Sequence, residues 1–103
     1  YKIWVSEVIL QQTRVAQGLP YYLRFIKKYP TVKALAKCEL DELLKLWQGL
    51  GYYSRARNMH FTANEVMRLY KGKFPSDFQS LIQLKGIGEY SAAAVSSFSA
   101  NEK

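Results

Sequence analysis

The stretch Leu84-Lys85-Gly86-Ile87-Gly88-Glu89-Tyr90 separates two segments that have the composition of helices. Apolar residues recur at helical spacing from Phe78 to Leu84, and the alanine-rich run Ser91-Ala92-Ala93-Ala94-Val95 follows. Glycine permits the positive φ of a tight hairpin and lets the backbone approach another molecule closely. The stretch therefore predicts two helices joined by a hairpin, over about residues 77–99.

The helix predicted after Gly88 would direct free backbone N–H groups outward at its N-terminus, which is a ready site for a phosphate. Gly86 and Gly88 then belong to a helix-hairpin-helix motif, which holds one DNA strand by its backbone without reading the sequence. The alternative is an ordinary glycine-rich turn between two packed helices. A Gly-x-Gly pair alone favours that alternative, whereas the flanking apolar spacing and the net charge favour DNA.

Composition limits the class of protein and of partner. The 103 residues suit one domain with a modest core, and fifteen Lys and Arg against eight Asp and Glu give a formal charge of +7. This charge favours a polyanionic partner, with a membrane surface as the competitor. No apolar run approaches the roughly 20 residues that span a bilayer, so we expect no membrane partner. Because residue 1 is Tyr and not Met, and because Asn101-Glu102-Lys103 stops just after a predicted helix, we expect a fragment truncated at both ends.

Apolar periodicity predicts an all-α domain without strands, repeats or low-complexity linkers. Thr31 and Ser76 are expected to cap helices, and Gly49 is expected to end one. Pro20 leaves two alternatives open, a kinked helix or one that restarts there. The predicted segments are Lys2–Gln12, Val15–Tyr29, Val32–Ala36, the one marked by Leu40, Leu43, Leu44 and Trp47, Ser54–Tyr70, Asp77–Ile82 and the one after Gly88.

Glu7 is the first candidate functional residue, because it lies in a helix that is apolar on nearly all sides. A carboxylate in such a place loses hydration, which favours the protonated form that a general acid needs. The alternative is a glutamate that points outward through the polar gap beside Ser6 and Gln11. The pattern alone leaves both interpretations open.

Leu50 and Tyr52 lie in a loop with two nearby glycines, Gly49 and Gly51. Apolar side chains at the tip of such a loop can enter a base step and unstack it, and the alternative is that both pack inward. Cys38, the single cysteine, excludes an internal disulfide and predicts a small apolar filler.

Three motifs together resemble one family. They are Ser6-Glu7-Val8-Ile9-Leu10-Gln11-Gln12-Thr13, Leu46-Trp47-x-Gly49-Leu50-Gly51-Tyr52-Tyr53-x-Arg55-Ala56-Arg57-Asn58 and Leu84-x-Gly86-Ile87-Gly88. The chain resembles the MutY family of adenine DNA glycosylases, which belongs to the helix-hairpin-helix superfamily together with endonuclease III. The similarity extends over essentially the whole chain; the first two motifs are specific to this branch, and the third is shared across the superfamily. The implied fold is the six-helix-barrel part of the helix-hairpin-helix DNA glycosylases.

The resemblance implies an enzyme of base excision repair that hydrolyses the N-glycosidic bond of adenine mispaired with 8-oxoguanine or guanine. Glu7 matches the catalytic glutamate, which protonates the flipped adenine at N7 and then assists the attack of water. Gln12 and Thr13 match residues that contact 8-oxoguanine, and Leu50 and Tyr52 match the loop that wedges beside the lesion.

Tyr90 matches the position at which lyase members carry a catalytic lysine. Without an amine no Schiff base forms, so the resemblance implies a monofunctional glycosylase. In the superfamily the hairpin also holds a monovalent or calcium cation through backbone carbonyls, which match those of Ile82, Leu84 and Ile87.

The resemblance also implies parts that this sequence does not contain. The family's second catalytic carboxylate and the four cysteines of its 4Fe-4S cluster lie beyond Lys103, and Cys38 matches none of them. We therefore expect the fragment to be inactive alone. The implied partner is double-stranded DNA with an A:8-oxoguanine or A:G mismatch, with no oligomer beyond crystal contacts and a place in the nucleoid, nucleus or mitochondrion. The alternatives are a non-catalytic helix-hairpin-helix DNA-binding module and a lyase of the endonuclease III kind.

Overall fold

A computed structural model describes residues 1–10, 15–51, 53–75, 77–84, 87 and 95. All regular elements in these ranges are helices, which confirms the all-α prediction. The helices are α1 (Lys2–Leu10), α2 (Val15–Lys28), α3 (Val32–Lys37), α4 (Leu40–Trp47), α5 (Tyr53–Tyr70) and α6 (Phe78–Gln83). The helix predicted after Gly88 lies outside these ranges.

The second helix settles the alternatives that Pro20 left open. α2 continues from Val15 to Lys28 with Pro20 inside it, so the helix does not restart at that residue. Its buried side carries Phe25, with Tyr29 just beyond its last turn, whereas Leu19 is 43% exposed. Leu19 shares the helical spacing of the apolar residues in this segment, but it does not join the buried core.

Aromatic side chains from different parts of the chain build the centre of the core. Trp47 and Phe25 meet edge to face with their ring centroids 6.4 Å apart, and Trp4 lies 5.0 Å from the ring of Phe74. Trp4, Trp47 and Phe25 are all fully buried. Burying one large apolar side chain stabilises a fold by about 1.5–3 kcal/mol. The first contact therefore holds α2 against α4, and the second holds α1 against the segment that follows α5.

The long helix α5 packs against α3 and α4, and α1 packs against α2. The small residues Ala56 and Ala63 are completely buried on α5, together with Met59 and Val66. A side chain of one carbon lets the backbones of neighbouring helices approach closely. α5 ends where the sequence predicts it, because Lys71 and Gly72 adopt positive φ values of 54° and 86°.

The helix ends follow local rules with one exception. The Thr31 hydroxyl accepts a hydrogen bond from the Ala34 N–H at 3.2 Å, which confirms it as the N-cap of α3. The predicted cap of α6 is wrong, because this helix begins one residue later than expected. Its N-cap is Asp77, whose carboxylate accepts from the Ser80 N–H at 2.9 Å. Ser76, the predicted cap, lies outside the described residues.

Candidate functional site

The structure describes some of the predicted site residues and not others. Those it describes are Glu7, Leu50, Ile82, Leu84 and Ile87. Those outside the described ranges are Gln12, Thr13, Tyr52, Gly86, Gly88 and Tyr90. The described part of the candidate site consists of α1, the loop after α4 and the turn after α6.

Glu7 is half-buried in the second half of α1. The two residues that follow it, Val8 and Ile9, are buried and anchor this turn in the core. The Ser6 hydroxyl donates a hydrogen bond to the Ile3 carbonyl at 2.7 Å, so this neighbour is turned back on its own helix. Glu7 therefore lies on a helix that is anchored in the core and keeps partial access to solvent. The sequence left open a desolvated carboxylate and an outward-pointing one, and the observed exposure lies between the two.

Two glycines allow the conformation of the loop after α4, and a tryptophan side chain bonds to its backbone. Gly49 and Gly51 have φ values of +99° and +72°, which L-residues with side chains rarely adopt. Gly49 thus ends the helix as the sequence predicts. The Trp47 indole N–H donates to the Gly51 carbonyl at 3.0 Å, and the Leu50 N–H donates to the Trp47 carbonyl at 3.0 Å. Leu50 is half-buried against the core, so its side chain is neither fully inserted nor free.

Arg55 connects this loop to α1. Its Nη1 donates a hydrogen bond to the Val8 carbonyl at 2.8 Å, across 47 positions of sequence. Its guanidinium carbon also lies 5.5 Å from the centroid of the Trp47 ring, within the range of a cation–π contact. The interpretation of the sequence did not assign Arg55 any role. The one signal for it was its place in the same motif as Leu50.

The turn after α6 begins the predicted hairpin. Leu84 and Ile87 are 4% and 5% exposed and anchor the turn, and Ile82 is half-buried. The Ile87 N–H donates to the Leu84 carbonyl at 3.2 Å, which occupies one of that oxygen's two lone pairs. A cation at the carbonyls of these three residues stays a prediction.

The residues that the structure describes do not fit an iron–sulfur cluster. Among them, no group of three or more His, Cys, Asp or Glu side chains could hold a metal ion. Cys38 is half-buried, and burial raises the pKa of its thiol, which suits the predicted filler better than a thiolate ligand. The Cys38 carbonyl lies 3.0 Å from Nε2 of His60, so this histidine already has a backbone partner.

Positive side chains line an open groove beside the loop after α4. The groove has a volume of about 530 Å³ and lies between α2 and α4. It contains Arg24, Lys28 and Lys45 and one carboxylate, Glu42, which pairs with Lys28.

No helix within the described ranges is both long and apolar enough to cross a membrane.

Known proteins match both the sequence and the fold. The adenine DNA glycosylase of Buchnera aphidicola subsp. Acyrthosiphon pisum is 46% identical over 101 residues, which is 98% of this chain and 29% of that protein. A thermostable thymine-DNA glycosylase superimposes on the whole chain with a TM-score of 0.90 at 27% identity, over 48% of its own length. Endonuclease III in a non-covalent DNA complex gives 0.82 at 27% identity over 92% of this chain and 45% of its own.

These matches confirm both the resemblance and the fold class expected from the sequence. The chain spans less than a third of the length of the Buchnera relative. A model of the family described as "HhH-GPD superfamily base excision DNA repair protein" matches residues 5–99. Since that match covers nearly all of the sequence, this chain belongs to the HhH-GPD superfamily of base excision DNA repair proteins.

Proposed function

We propose that this chain is the part of an adenine DNA glycosylase that carries its general acid, Glu7, and its wedge loop, which contains Leu50 and Tyr52. The substrate is adenine opposite 8-oxoguanine or guanine in double-stranded DNA, and the reaction is hydrolysis of the N-glycosidic bond. One observation carries the proposal: the half-buried carboxylate of Glu7 lies on a helix that is connected to the glycine-rich loop after α4. Arg55 makes this connection, since it bonds to the Val8 carbonyl and contacts Trp47, which bonds to the loop. A module that only clamps DNA needs no such carboxylate.

Glu7 acts on an adenine that has left the stack, because the bond to be broken is inaccessible inside a duplex. Its carboxyl group donates a proton to N7 of the base. The C1′–N9 bond then breaks, and its electron pair stays on the departing adenine. Water adds to C1′ and transfers a proton to the Glu7 carboxylate, which restores the acid. A half-buried carboxyl group on a rigid helix supports this role, since it can reach a base without being fully hydrated.

Leu50 enters the stack as a wedge beside the lesion. The hydrogen bond from Trp47 to the Gly51 carbonyl supports this role, because a wedge must keep its shape while it pushes bases apart. Tyr52 belongs to the same wedge, and Gln12 and Thr13 contact the base opposite adenine.

The hairpin holds the DNA backbone through the amides around Gly86 and Gly88, and the carbonyls of Ile82, Leu84 and Ile87 are its cation ligands. Tyr90 lies beside the sugar of the flipped nucleotide and cannot form a Schiff base, so the enzyme is a monofunctional glycosylase. The buried anchors Leu84 and Ile87 support this placement of the hairpin.

The chain by itself supplies only part of the machinery. It covers 29% of the Buchnera relative, and it contains one cysteine. By its resemblance to the family, the second catalytic carboxylate and the four cluster cysteines belong to the rest of the protein. We expect this part alone to be inactive. Its charge of +7 suits a DNA partner, whose binding weakens as salt rises.

The test compares adenine release by the full-length protein and its Glu7→Gln variant, on a duplex with one A:8-oxoguanine pair in single-turnover conditions. Loss of a general acid should lower the rate constant by about 10²–10⁴-fold while duplex binding persists. The matched control is Glu39→Gln, because Glu39 is exposed and makes no side-chain hydrogen bond at its helix cap. Unchanged release by Glu7→Gln would discard the role of Glu7 as the general acid. Duplex binding without adenine release by the wild type would favour the non-catalytic binding module, and trapping of the wild type by borohydride would favour a lyase.

A further inference from the structure

The carboxyl end of α1 receives its positive charge from another helix. The last four carbonyls of an α-helix have no partner within the helix, and a cation near them is favourable. α1 has no basic residue in its last turn. The guanidinium of Arg55, at the start of α5, supplies the charge and bonds to the Val8 carbonyl at 2.8 Å. This bond holds the residue that directly follows Glu7.

The same guanidinium also contacts the element that holds the loop after α4. It lies 5.5 Å from the centroid of the Trp47 ring, and the indole N–H of Trp47 donates to the Gly51 carbonyl at 3.0 Å. Two side chains thus form a continuous path of contacts between the backbone next to Glu7 and the backbone next to Leu50. A planar cation with several donors suits this place, because it can stack on a ring and donate to a carbonyl at once.

We propose that Arg55 is a positioning residue that sets the spacing between the Glu7 helix and the Leu50 loop during base removal. The inference rests on the proposed function, in which Glu7 protonates the flipped base and Leu50 wedges the stack beside the lesion. Both groups act on one nucleotide step, so their separation decides whether the base reaches the acid. A misplacement of about 1 Å can lower a rate by about 10²-fold.

A positioning role differs from a purely structural one in what it changes. A structural contact affects the stability of the fold and leaves the reaction of the folded protein intact. A positioning contact lowers the rate constant of base release by the bound enzyme, with little change in duplex affinity. Lysine keeps the charge and can reach a carbonyl, but it lacks the stacking plane and the fork of donors. Replacing Arg55 by lysine should therefore retain only part of the wild-type rate of base release.

The experiment uses the full-length protein with Arg55→Met and Arg55→Lys. The matched control is Arg68→Met, because Arg68 lies on the same helix, is exposed and pairs only with its neighbour Glu65 among the contacts described. We would measure single-turnover adenine release at saturating enzyme, the dissociation constant for a duplex with a non-cleavable adenine analogue, and amide hydrogen exchange in residues 48–51.

We expect Arg55→Met to lower the release rate by about 10–100-fold and to change the dissociation constant by less than about threefold. Arg55→Lys should fall between it and the wild type, and exchange in residues 48–51 should be faster in Arg55→Met than in Arg68→Met. An unchanged rate in folded Arg55→Met, or an unchanged exchange pattern, would overturn the inference. If the wild type releases no adenine, the proposed function fails, and the exchange measurement still tests whether Arg55 holds the loop.

Discussion

The hydroxyl of Tyr21 fills the position that a β-carbon would occupy on Gly49. Tyr21 belongs to α2 and Gly49 follows α4, so this contact fixes the start of the loop after α4 against a second helix. Arg24 lies over the ring of Tyr21, with its guanidinium carbon 4.6 Å from the ring centroid. Gly49 therefore meets two separate constraints, a positive φ of 99° and the Tyr21 hydroxyl, which would have to shift to admit a β-carbon.

Replacing Gly49 by alanine should destabilise the protein more than the same change at Gly51. At Gly51 the cost is the left-handed conformation alone, about 1–2 kcal/mol, because no atom lies within 4 Å of the added carbon. At Gly49 the clash with Tyr21 adds to that cost. Urea unfolding of the two variants would measure the difference.

A double variant separates the two costs at Gly49. Tyr21→Phe removes the hydroxyl that would collide with the new carbon and keeps the ring. Gly49→Ala should therefore cost less in the Tyr21→Phe background than in the wild type, and the remainder should approach the cost at Gly51. Equal costs in both backgrounds would mean that the Tyr21 contact does not constrain the loop.

Trp47 and Trp4 allow a matched test of the hydrogen bond to the loop after α4. Both rings are buried, but the Trp47 indole N–H donates to Gly51, whereas that of Trp4 has no partner among the described residues. Both phenylalanine variants lose ring volume. Trp47→Phe also loses a hydrogen bond with a net worth of about 0.5–1.5 kcal/mol, so it should be the more destabilising of the two.

Hydrogen exchange gives a second measure of the same pair. Trp47→Phe should accelerate exchange of the amides in residues 48–51, because the Gly51 carbonyl loses its donor. Trp4→Phe should leave these amides at the wild-type rate. Faster exchange in both variants alike would show that core volume, and not the hydrogen bond, holds the loop.

Local chemistry allowed much of this fold to be predicted, because each cap or turn is decided by a few neighbouring residues. Thr31 and Gly49 are examples, since each has the one property that its position requires. The cap of α6 was missed because Ser76 and Asp77 are adjacent and both are good caps, so composition alone does not choose between them. The link from Arg55 to Val8 was beyond prediction, since no periodicity records a contact across 47 positions.

The cap of α6 makes the stability of this helix depend on pH. The hydrogen bond from the Ser80 N–H lowers the pKa of the Asp77 carboxyl group below its ordinary value. A depressed pKa means that the folded state binds the proton more weakly than the unfolded state does. Its contribution to stability is thus present above the unfolded pKa of about 4, and it is lost as pH falls through the lower, folded value.

Asp77→Asn tests this dependence, because asparagine caps helices about as well as aspartate but does not titrate. The thermal midpoint of the wild type should decline, relative to that of Asp77→Asn, as pH falls from neutral to below the ordinary range of aspartate. Glu39→Gln is the control, since Glu39 occupies the same position on α4 without a side-chain cap bond. A wild-type advantage that stays constant over this pH range would rule out an ionised cap at Asp77.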